Sequence, residues 1–240
     1  MKSPKLLLIA LLCIGSAGVA SAQFNRTKGS GNVKTENRNL DGFTGVKTAT
    51  AVDIYLSQGN NFSVKVEADD NLIDDIVTEV KDGILNVHIR KGISITWHEK
   101  MIVHVTMKEI DYISASSAGD VIGVTPLRVD DLKIRTSSAG DVKVEVTAKT
   151  LDLGTSSSGD ITISGKADYL EASTSSAGDI KGYDLSVREA DLSSSSAGDI
   201  KITVTEKLRA RASSAGDIYY MGDPKYVDAR SSSAGDVIRK

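Results

Sequence analysis

Cysteine is almost missing from this chain. The one copy, Cys13, lies in an apolar run near the start, so the remainder has no disulfide and no thiol chemistry. The fold must be held by its core and its hydrogen bonds. Aromatic residues are scarce, at 5% of 240, too few to line a sugar-stacking cleft. Long hydrophobic runs are missing beyond Ile14, so no transmembrane segment is expected there. An excess of one charge is missing as well. The chain carries 29 basic against 32 acidic residues, which argues against nucleic acid as a partner. No Gly-x-Ser-x-Gly elbow, P-loop or zinc spacing occurs. No catalytic residue, cofactor or metal centre follows from any motif.

What is present begins with a leader. Lys2 and Lys5 precede the apolar Leu6–Ile14, and Ala20-Ser21-Ala22 follows. A charged start, a short apolar run and an A-x-A site predict a secretory signal peptide over 1–22. Cys13 raises a lipoprotein alternative, but Ala10-Leu11-Leu12 is a poor lipobox. Cleavage would remove Lys2 and Lys5, taking the balance to 27 against 32, or −5. Residues 23–32 are polar, with Gly29-Ser30-Gly31, and read as a flexible leader.

Residues 33–109 read as an irregular β part. Val33–Arg38, Val46–Leu56, Phe62–Ala68, Ile93–Trp97 and Met101–Val105 alternate as strands do. Leu72, Ile73, Ile76 and Val77 stand at helical spacing after Asp69-Asp70-Asn71, predicting one helical turn. Asp82-Gly83 predicts a hairpin between Ile76–Val80 and Ile84–Ile89.

Residues 110–240 are repetitive. A Ser-Ser-Ala-Gly-Asp cassette returns with its glycines at Gly119, Gly140, Gly159, Gly178, Gly198, Gly216 and Gly235, spaced 21, 19, 19, 20, 18 and 19. A sustained period near 20 means stacked coils or an array. Two residues after each glycine stand Val121, Val142, Ile161, Ile180, Ile200, Ile218 and Val237. Six before it stand Ile113, Ile134, Leu153, Ala172, Leu192, Ala210 and Ala229. The offsets are even, so the apolar face keeps its parity through the bend. A two-residue hairpin would break that parity. A kinked continuous wall and a three-residue bulged hairpin both keep it. Equal spacing with identical residues favours the first: an all-β, parallel β-helix or solenoid of about seven coils of 18–21 residues, continuous with 33–109. Its length would be roughly 30 Å.

The cassette has a structural reading. The glycine takes a backbone conformation that other residues resist. By parity, Ser117, Ser138, Ser157, Ser176, Ser196, Ser214 and Ser233 form an inward serine ladder. Asp120, Asp141, Asp160, Asp179, Asp199, Asp217 and Asp236 form an outward row. At a coil spacing of about 4.8 Å, neighbouring carboxylates repel by about 0.9 kcal/mol in water. Backbone N–H groups of each Asp's own turn offset this. The sharper alternative is a calcium ladder on the same seven carboxylates. Elsewhere, His88 and His104 sit in alternating strands, Trp97-His98-Glu99 forms an exposed patch or strand end, and at most one of Tyr219 and Tyr220 faces out.

Two stretches carry a resemblance. "VDIYLSQGNNFSVKVEADDNLIDDIVTEVKDGILNVHI" (Val52–Ile89) is similar to the N-terminal half, and the recurring "SSAGDI" with "GDIYYMGDPKYVDARSSSAGDV" to the C-terminal half, of one family. It is the putative auto-transporter adhesin, head GIN domain family. The resemblance implies a right-handed β-helix, export from a Gram-negative bacterium, and no catalytic residues. The chain stops four residues after Asp236 without a membrane barrel, so it is not expected to anchor itself. The expected function is an exported, non-catalytic binding or scaffolding protein in the periplasm, on the outer-membrane surface or outside the cell. Its partner would be a surface polysaccharide, bound on the Ser–Asp wall, or an envelope protein. The alternatives are a β-helix carbohydrate-active enzyme and a structural subunit that self-associates through its C-terminal rung.

Overall fold

The computed structural model describes residues 25–240. The signal peptide and the first leader residues lie outside the described residues. The strands, in chain order, are β1 (Asn25–Lys28), β2 (Val33–Arg38), β3 (Gly45–Thr48), β4 (Asp53–Gln58), β5 (Ser63–Asp69), β6 (Ile76–Lys81), β7 (Ile84–Ile89), β8 (Ile93–Trp97), β9 (Met101–Met107) and β10 (Tyr112–Ser116). They continue as β11 (Val121–Gly123), β12 (Leu127–Arg128), β13 (Asp131–Ser137), β14 (Val142–Thr155), β15 (Ile161–Thr174), β16 (Ile180–Ser195), β17 (Ile200–Ser213), β18 (Ile218–Met221), β19 (Tyr226–Ser232) and β20 (Val237–Arg239).

The repeat region is a solenoid. β14 runs parallel to β15 from Val142↔Ile161 to Thr155↔Thr174, so each residue lies on its equivalent one coil away. β15 stacks on β16 with a register shift between Thr162 and Gly165, β16 on β17 with shifts between Gly182 and Ser186 and between Val187 and Glu189, and β17 on β18 and β19 in step. Each of these long strands begins just after one cassette and ends at the next. The row two residues after the glycine is buried from Val121 to Ile218, and the row six before it from Ile113 to Ala210. Each such Val, Leu or Ile contributes about 1.5–3 kcal/mol by leaving water. One core cluster runs unbroken from Phe43 to Ile218.

The N-terminal part departs from chain order. β3 pairs in parallel with β7 on one side and with β10 on the other. β4 lies likewise between β9 and β11. The coil that comes first in sequence is therefore second in space. Antiparallel strands then close that end of the stack: β6 on β7, β5 on β9, and β2 on β5. The hairpin at Asp82-Gly83 is present, with φ of 50° and 73°. The expected helical turn is a short 3-10 turn, Ile73–Asp75, leading directly into β6. The run expected over Val46–Leu56 is broken into β3 and β4 by a corner.

The corners correct two expectations. The serines of the expected inward ladder, Ser117, Ser138, Ser157, Ser176, Ser196, Ser214 and Ser233, are all exposed. Each takes a left-handed φ, between 51° and 66°. A left-handed residue does not follow strand alternation, so an even offset does not turn these serines inward. In the first two and last two cassettes the following alanine is left-handed too, and the glycine N–H closes a type I′ turn on the serine three residues back. The glycines themselves do not have positive φ. They are needed because the neighbouring coil comes too close: a Cβ on Gly178 would lie 2.6 Å from the Gly159 carbonyl oxygen, and one on Gly140 2.4 Å from the Ser116 nitrogen.

Candidate functional site

The buried hydroxyls stand two residues earlier than expected. Thr136, Thr155 and Thr174 each donate to the carbonyl of the next coil's cassette glycine, Gly159, Gly178 and Gly198, at 3.0, 3.0 and 3.2 Å. Ser194 continues this row, its hydroxyl donating to the Gly198 carbonyl. Four residues before each glycine is the last inward position ahead of the left-handed turn. A small hydroxyl there satisfies a carbonyl that the turn would otherwise leave buried and unpaired.

The aspartates do form a ladder, bonded differently from the expectation. In five of the seven, Oδ1 accepts the backbone N–H of the next coil's aspartate, not one from its own turn. Asp120 receives Asp141 N–H at 3.0 Å, Asp141 receives Asp160, and Asp160 receives Asp179, each at 2.9 Å. Asp179 receives Asp199 at 3.0 Å, and Asp217 receives Asp236 at 2.9 Å. The amide of the residue after the aspartate points the other way along the stack, to the carbonyl of the next coil's aspartate, as in Val142 to Asp160. Outward oxygens meet neighbours on three rungs: Lys181 on Asp160, Lys201 on Asp199, and Tyr219 on Asp217. The bond to Asp217, with some burial, pushes the Tyr219 hydroxyl up to about 12. Charge-assisted bonds of this kind offset the repulsion between carboxylates. Among the described residues, no group of three His, Cys, Asp or Glu is placed to hold a metal.

The ladder has a rung that the sequence hides. Ala49-Thr50-Ala51-Val52-Asp53 forms a cassette corner, with Thr50 and Ala51 left-handed at 64° and 59°. Asp53 Oδ1 accepts Asp120 N–H at 3.1 Å, and Thr48 Oγ1 donates to the Val52 carbonyl. Burial raises the Asp53 pKa against that N–H bond, and the Asp120 charge raises it further. Val52 stands where other corners need glycine. The chain below it leaves as β8 instead of turning tightly, so side-chain room exists.

The remaining candidates do not converge. His104 Nε2 meets Glu67 at 3.0 Å beside Lys100, and its ring tilts against Tyr55. His88 lies on β7 opposite Val77. His98 is exposed beside Trp97, whose ring faces Lys28 Nζ at 5.6 Å. Of the tyrosine pair, Tyr220 packs on the core while Tyr219 faces Lys201 and Lys240. Asp69 is buried and accepts N–H bonds from Gly31, Glu99 and Lys100. Burial pushes its pKa up, but the three donors together hold it below the usual carboxylate value.

A concavity that sequence reading missed lies on another side of the solenoid. An open groove of about 1000 Å³ crosses successive coils where the long strands bend between their two walls. Its floor includes Val129, Ala148 and Ala167. One lip is a register row, Arg128↔Thr147↔Lys166↔Ser186, with Lys108 at its end. On the other side stand Asp130, Lys149, Asp168 and Arg188, tied by Lys149–Asp130 at 2.9 Å and Arg188–Asp168 at 3.5 Å. The alanines leave the hollow, and equal coil length repeats the lips.

The described residues thus form a β-solenoid with a lateral groove across successive coils. Residues 42–224 match the family described as putative auto-transporter adhesin, head GIN domain, and the chain belongs to it. The fold is similar to that of a putative adhesin from Bacteroides fragilis, with a TM-score of 0.82 and 24% identity over 89% of this chain and 100% of the other. A putative adhesin from Parabacteroides merdae is similar at TM-score 0.72 and 25% identity, over 90% and 99% of the two chains. A putative lipid binding protein from Parabacteroides distasonis is similar at TM-score 0.74 and 24% identity, over 90% and 100%. No curated protein matches the chain. No helix among the described residues is long and apolar enough to cross a membrane.

Proposed function

We propose that this chain is an exported, non-catalytic adhesin-like protein that binds a linear polysaccharide along the lateral groove, at the cell envelope or surface. The observation that carries this reading is the groove itself. It crosses successive coils and alternates along them, cation with hydroxyl on one row and acid with cation on the other, which fits a ligand that also repeats. The Ser–Asp wall is set aside as the binding surface, because each bonded Oδ1 already holds the next coil together. The family's description as an adhesin supports binding over catalysis.

A glycan array with the unmodified chain and a Thr147→Trp variant tests the proposal. Thr147 is exposed on the lip, so the indole obstructs the groove without entering the core. Loss of glycan binding with unchanged melting supports the reading. Equal binding by both proteins removes the groove from consideration.

Self-association is a second part of the proposal. Val227 occupies the place of the buried Leu208 one coil earlier, yet it is 42% exposed. An exposed apolar rung whose strand is paired on one side only among the described residues favours pairing with a second copy. A single monomeric species in sedimentation at high concentration would contradict it.

A further inference from the structure

The two lips of the groove differ in charge. Lys108, Arg128 and Lys166 stand on the first, interleaved with the hydroxyls of Thr147 and Ser186. Among the described residues none of these three cations has an ion-pair partner, whereas Lys149 and Arg188 across the groove are both paired. The rest of the lining holds five carboxylates, Glu109, Asp111, Asp130, Asp131 and Asp168, against only those two cations. The first row is therefore positive and unpaired, and among the described residues the lining's other charges without an ion-pair partner, Glu109, Asp111 and Asp131, are all negative. The two signs come close together because cation and acid stand two residues apart in the chain, as in Arg128 and Asp130 or Lys166 and Asp168. The half-buried or buried residue between them points inward.

The geometry points to a ligand carrying both signs of charge: a linear glycan with acidic and amino substituents, its acids toward Lys108, Arg128 and Lys166 and its amines toward the carboxylate side. This rests on the groove being the binding site. A purely anionic polymer gains from the three cations and is repelled by Glu109, Asp111 and Asp131, and a purely cationic one suffers the reverse. A neutral polymer leaves three exposed cations without a partner. Such a groove selects by charge pattern as well as by shape.

Four polymers discriminate: alginate (acidic), chitosan (basic), dextran (neutral) and carboxymethyl chitosan, which carries amines and carboxylates. Each is titrated into the full chain by calorimetry in mildly acidic buffer. Carboxymethyl chitosan is expected to bind about tenfold or more tighter than alginate or chitosan, with the preference shrinking as salt rises. Replacing Lys108, Arg128 and Lys166 together by Glu is expected to abolish that preference and to move it to chitosan. All three are exposed, and melting confirms that the variant is folded. If dextran binds as tightly as carboxymethyl chitosan, and Thr147→Trp still blocks it, the charge inference is overturned while the groove reading stands. A clear preference for alginate or chitosan alone also overturns it. If no polymer binds, or binding ignores every groove substitution, the groove reading fails too.

Discussion

At the scale of single residues, the cassette divides its labour in an unexpected way. Glycine is the residue usually granted freedom of φ, yet here the serine takes the left-handed conformation and the glycine supplies absence of bulk. Opposite responses to small substitutions follow. Gly178→Ala drives a Cβ into the Gly159 carbonyl, 2.6 Å away, and should cost about 1–3 kcal/mol by overpacking. Ser176→Gly relieves a φ of 65° on an exposed residue and should be neutral to stabilising, within about 1 kcal/mol. Urea unfolding of the two variants measures both. The ladder gives a second pair. Asp141→Ala removes the acceptor of Asp160 N–H and should cost about 1–3 kcal/mol. Asp141→Asn keeps an amide oxygen in place and should cost less. Equal losses in the two variants would mean that charge, not the bond to the next coil, is what the rung supplies.

At the scale of elements, the sequence reveals what repeats and conceals what does not. The row from Val121 to Ile218 made the coil legible because an inward β-branched residue recurs after every corner. The serines misled because alternation holds only while the backbone stays extended. The Ala49–Asp53 corner went unseen because Val52 replaces the glycine that marks the others. Val52→Gly should therefore destabilise by about 2–3 kcal/mol, emptying a buried site instead of restoring a motif. The order in which β3 and β4 enter the stack leaves no mark in the sequence, since pairing across distant segments has no local period. Their end is locked by Asp69, which binds the leader at Gly31 and the β8–β9 connection at Glu99 and Lys100. Its folded pKa is depressed. Its stabilising contribution is therefore complete above the unfolded carboxylate value, about 4, and is lost as pH falls through the lower folded value. Protection factors at Gly31 and Lys100, corrected for the intrinsic exchange rate at each pH, should fall over that acid range and stay level above it. An Asp69→Asn variant should exchange faster at neutral pH and respond less to acid.

At the scale of the whole molecule, the core is one continuous stack and its outer faces have separate duties. The cassette face joins coil to coil through the Asp ladder, with the Thr row beneath it. The bent side carries the groove. Sequence reading found the first and missed the second, because Lys, Asp and Thr on an exposed strand face look like ordinary solvated positions, and Ala148 and Ala167 look like ordinary core. Only the stacking brings Arg128, Thr147, Lys166 and Ser186 into one line. The division of duties is the central claim, and hydrogen–deuterium exchange of the full chain with and without a bound polysaccharide tests it most directly. Protection confined to the segments around Arg128–Asp130, Thr147–Lys149, Lys166–Asp168 and Ser186–Arg188, with the seven cassettes unchanged, is the predicted footprint. Protection centred on the Ser-Ser-Ala-Gly-Asp corners, with the groove unchanged, would contradict the account and return the ligand to the ladder face.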